Sequence, residues 1–132
     1  LVKLCAASAW LVEQIAKFPM LLDQLLDPRT LYAPPGPEAL GAGLARRLAA
    51  VPDEDPESQI EALCIFRQIN TLRVAASDIT NVLPLMKVSD HLTYIAEVVL
   101  DACVTLARRH LEHRHGVPRC GAGDEPVVSR NP

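Results

Sequence analysis

The stretch Leu72–Ala102, "LRVAASDITNVLPLMKVSDHLTYIAEVVLDA", decides the fold. It holds two apolar patterns of helical period with one short break at Pro84 between them. Upstream, the first pattern extends through Ala62, Ile65, Ile69, Leu72, Ala76, Ile79 and Leu83, alternating steps of three and four. Downstream, the second runs through Val88, Leu92, Ile95, Val99, Ala102 and Leu106. Such steps keep side chains on one face of an α-helix. Folded back across the break, Ile79 meets Leu92, Ala76 meets Ile95, Leu72 meets Val99 and Ile65 meets Leu106, with no slip in register. The expectation is an all-α fold: a helical bundle built on a long antiparallel hairpin, about 56–81 and 89–115.

Local signals set the ends of these helices. Asp55-Pro56-Glu57 starts the first: Asp55 as cap, Pro56 with its φ already helical, Glu57 at the positive end of the dipole. Ser89 reads as the cap of the second, with Asp90 in its first turn. Gly116 and Pro118 stop it. Shorter helices are expected at about 1–17, 19–27 and 37–50. Pro19 divides the first two, and Gly41 and Gly43 weaken the third. Residues 1–115 then form one helical domain. Residues 116–132, rich in Gly and Pro and without period, read as a flexible, disordered tail or linker.

Composition agrees with that class and excludes others. Of 132 residues 49% are apolar but only 4% aromatic, so the core must be aliphatic, which suits helix-on-helix packing. A net charge of −3 gives no basic surface for nucleic acid. No uncharged apolar run approaches the roughly 20 residues of a membrane span. Cys5, Cys64 and Cys103 fall in apolar helical patterns and read as small buried thiols; with Cys120 they make no CxxC motif. A reducing cytoplasm is the expected compartment.

Two groups of residues bear chemistry. His110, His113, His115 and Cys120 are possible zinc ligands by type, but their spacing fits no standard set. Arg108, Arg109 and Arg114 surround the histidines and would repel a cation, which favours a solvated basic helix end. The second group lies in the opening stretch: Arg73, Asp78, Ser89 and Asp90. From spacing alone, Arg73 can reach Glu97 or Asp101, and Asp78 can reach Lys87 or His91. A structural ion pair is the reading favoured over a functional edge. No phosphate loop, nucleophile elbow or HExxH motif occurs, so neither catalytic, cofactor nor metal residues are assigned.

These residues also carry a resemblance. "LCAASAWLVEQIAKFPMLLDQLLDPRTLY" (4–32) and "QIEALCIFRQINTLRVAASDITNVLPLMKVSDHLTYIAEVVLDA" (59–102) resemble the bifunctional glutamine synthetase adenylyltransferase/adenylyl-removing family. The similar part spans roughly residues 1–118. It is similar to the helical region that leads into the second, adenylylating nucleotidyltransferase domain. The resemblance implies a parent that transfers AMP from ATP to a tyrosine of glutamine synthetase with Mg²⁺, removes it by phosphorolysis, and answers to a PII-type signalling protein. The G-x-G-K-L-G-G and S-D-L-D patterns that bind ATP and metal in the family do not occur in this chain, and "VVSRNP" departs from the family. The expectation is therefore a helical fragment without catalytic residues of its own. Arg73, Asp78, Ser89 and Asp90 match family positions, and the resemblance implies that they brace an adjacent catalytic domain. The alternative, of a different class, is a stand-alone helical interaction module.

Overall fold

The computed structural model describes residues 6–19, 33–117, 119–120 and 127–128. The helix expected at about 19–27 lies almost wholly outside them. The fold is all-α, a helical bundle. Its helices are α1 (Ala9–Lys17), α2 (Pro37–Leu48), α3 (Pro56–Ile79) and α4 (Leu85–His115). None of the described helices is long and apolar enough to cross a membrane. The chain divides into two compact units, 1–99 and 100–132, and the division falls within α4.

The first unit begins with a correction. The helix expected over 1–17 is broken at Ser8, whose extended backbone (φ −148°, ψ 111°) caps α1. Its hydroxyl accepts the Leu11 N–H at 3.4 Å, satisfying a donor that has no partner within the helix. At the other end the Phe18 N–H bonds to the Gln14 carbonyl at 2.9 Å, just before Pro19. α2 opens with Pro37 in its first turn and closes with Arg46 and Arg47, both favourable to the dipole.

α3 starts as its sequence requires. Asp55 Oδ1 accepts the Ser58 N–H at 3.0 Å and Oδ2 accepts the Ser58 hydroxyl at 2.6 Å. It ends in a turn with Asn81 left-handed at φ 54°. The Asn81 N–H reaches the Asp78 carbonyl, and the Val82 N–H reaches the Ser77 carbonyl, each at 2.9 Å. That bond pattern closes a helix with a reversed turn and satisfies its last carbonyls.

α4 then starts at Leu85, not Ser89. The Pro84 carbonyl accepts from the Lys87 and Val88 N–H groups at 2.8 and 3.1 Å. Nothing between Pro84 and Ser89 breaks a helix, so the helix extends back to the proline. Ser89 is therefore an interior residue, and its carbonyl accepts the Thr93 hydroxyl at 3.0 Å.

α3 is the centre of the first unit, covered on more than one face. Its stripe Ile69, Leu72 and Ala76, flanked by Ile65 and Ile79, packs with Leu11 and Ile15 of α1. Gln68 of α3 also donates its side-chain amide to Gln14 of α1. The stripe assigned to the return helix is thus packed by α1, while Ile95 of α4 is also buried, at 4%. Among the described residues that cluster includes none of Leu92, Ile95 and Val99, and Leu92 is 42% exposed. A second face of α3 buries Leu63 and Phe66, with α2 beside it burying Leu40 and Leu44. Gly43 lies close to Phe66, whose Cε2 would be 3.6 Å from a methyl placed there. Val74, Asn70 and Ser77 are buried too. A helix buried on several sides must be apolar on several sides.

In the second unit, α4 continues from Leu100 to His115, and Gly116 follows with φ 80°. Two short strands, β1 (Arg119–Cys120) and β2 (Val127–Val128), pair antiparallel, with Arg119 opposite Val128 and Cys120 opposite Val127. The Gly- and Pro-rich composition of this stretch does not announce that ladder.

Candidate functional site

Arg73 is half-buried on α3, one turn from the fully buried Asn70. Asn70 donates to the Phe66 carbonyl at 2.9 Å and accepts from Arg73 Nη1 at 3.4 Å. Glu97 and Asp101, the acids within reach of Arg73 by spacing, are both exposed. Asp90 forms a surface pair with Lys87 at 3.1 Å, three residues back on the same helix. The hydrogen bond and charge of Asp90 hold the Lys87 ammonium above its ordinary range. Such an exposed pair contributes little to stability.

Lys87 is therefore engaged by Asp90 and not by Asp78, which lies exposed on α3. The other partner considered for Asp78, His91, packs edge-on against Tyr94 with ring centres 5.9 Å apart. Its buried Nδ1 has no hydrogen-bond partner among the described residues. Ser89 is exposed. Arg73 and Asp90 thus bond along their own helices, while Asp78 and Ser89 point to solvent. The four do not assemble into a catalytic set.

The histidine-rich end of α4 is also dispersed. His110, His113 and His115 are exposed, and Arg108 pairs with Glu112 at 2.7 Å. Among the described residues no three His, Cys, Asp or Glu side chains converge on a point that could hold a metal ion. The thiols require a correction: Cys64 and Cys103 are exposed, not buried. Each lies on a helix next to apolar residues but on the outward arc.

Sequence reasoning missed a surface made of residues without conspicuous chemistry. α4 carries a second apolar row besides its half-buried one. Leu100 (63%), Val104 (66%) and Leu111 (56%) are exposed, with Cys103 and Ala107 exposed between them. At 100° per residue, those five fall on an arc of roughly 100°. The signal was available in the sequence: α4 is apolar over more than one face.

Comparison with known proteins identifies the family. A model of the glutamate-ammonia ligase adenylyltransferase family, GlnE, matches residues 1–128. The chain belongs to this family. It is similar to the bifunctional glutamine synthetase adenylyltransferase/adenylyl-removing enzyme of Nitrosococcus oceani, 52% identical over 129 residues. The enzymes of the same name from Thioalkalivibrio sulfidiphilus and Pseudomonas syringae pv. tomato are 53% identical over 120 residues and 52% identical over 118. These matches cover 98%, 91% and 89% of this chain but 13%, 12% and 12% of the respective relatives. The chain spans about an eighth of the length of the curated relatives it matches.

Proposed function

We propose that this chain works as a helical segment of a longer adenylyltransferase, one that attaches AMP from ATP to a tyrosine of glutamine synthetase and removes it by phosphorolysis. Its role is to support a catalytic domain, not to carry the chemistry. The observation behind this reading is the family match over residues 1–128, joined to the small share of each relative that it represents. In that setting the partners are glutamine synthetase, a PII-type signalling protein and the adjacent nucleotidyltransferase domain, and the compartment is the cytoplasm.

Mg²⁺ and ATP are proposed for the longer protein. The described residues of this chain do not fit a cation, since no three ligating side chains converge, and no step is derived through either group. Arg73, Asp78, Ser89 and Asp90 are proposed as polar members of the seam. Asp78 and Ser89 are exposed, which suits contact with a neighbour.

The test is a chimera. The matched segment of the Nitrosococcus oceani enzyme is replaced by this chain, and AMP transfer to glutamine synthetase and its phosphorolytic removal are assayed. Retention of both activities is expected. A folded chimera that has lost both would overturn the proposal.

A further inference from the structure

We draw no further inference here: the strongest candidate, the exposed apolar row Leu100, Cys103, Val104, Ala107 and Leu111 on α4, is an unpartnered helix face, and nothing in the structure shows what covers it.

Discussion

The Val82 amide donates to the Ser77 carbonyl at 2.9 Å, and that bond reverses the chain between α3 and α4. Ser77 is fully buried, so the reversal is anchored in the interior of the first unit. The geometry requires Asn81 to be left-handed, at φ 54°. Asn tolerates this region; a β-branched residue does not. Asn81→Val is expected to destabilise the chain by about 1–2 kcal/mol, and Asn81→Gly to be near neutral. Urea unfolding followed by circular dichroism measures both. Equal stability of the Val and Gly variants would show that the turn is not held as described.

The covering of α3 by α1 makes a second expectation. Leu11 and Leu72 are both fully buried in one cluster. Leu72→Ala should cost about 2–5 kcal/mol, as should Leu11→Ala. Because the two belong to one packed cluster, the double variant should depart from additivity by about 0.5–3 kcal/mol. Leu72→Ala combined with Leu92→Ala should instead be additive, since Leu92 is outside the cluster and partly exposed. The reverse pattern of coupling would restore the pairing across the hairpin.

These two cases show where the sequence could be read and where it could not. The start of α3 was legible because Asp55, Pro56 and Glu57 act through local bonds, and local bonds are encoded locally. The partner of the α3 stripe was not. Leu11 and Ile15 repeat with the same period as Leu92, Ile95 and Val99, and periodicity says which face turns inward without saying which helix covers it. Ser89 misled because Ser and Asp mark helix starts only when something stops the helix before them. Of the site, the charged residues drew attention because charge is conspicuous, while the bare row on α4 consists of residues that ordinarily mean core.

The cap of α3 gives the chain a pH dependence with a definite sign. Two hydrogen bonds from Ser58 hold the Asp55 carboxyl below its ordinary 3.8. Between the folded and unfolded values the unfolded chain binds more protons. The stabilisation is therefore complete above the unfolded value and is lost as pH falls through the folded one. Asp55→Asn keeps a cap but removes the ionisation. Its thermal midpoint should fall less than that of the parent chain between about pH 5 and about pH 2. Parallel melting curves for the two proteins would argue against the cap as the source.

Gly41 and Gly43 test whether α2 needs its glycines. Both lie inside the helix, where glycine costs about 1 kcal/mol relative to alanine. A methyl at Gly41 meets nothing within 4 Å, and one at Gly43 meets Phe66 Cε2 at 3.6 Å, an ordinary contact. Neither residue is held by space or by backbone conformation. Gly41→Ala and Gly43→Ala are each expected to stabilise by about 0.4–1 kcal/mol, and the Gly43 variant adds apolar contact with Phe66. Chemical denaturation of the single variants reads this directly. A loss of stability at Gly43 with a gain at Gly41 would mean that α2 lies closer to α3 than the Phe66 contact indicates, because only the inward methyl would then be forced against it.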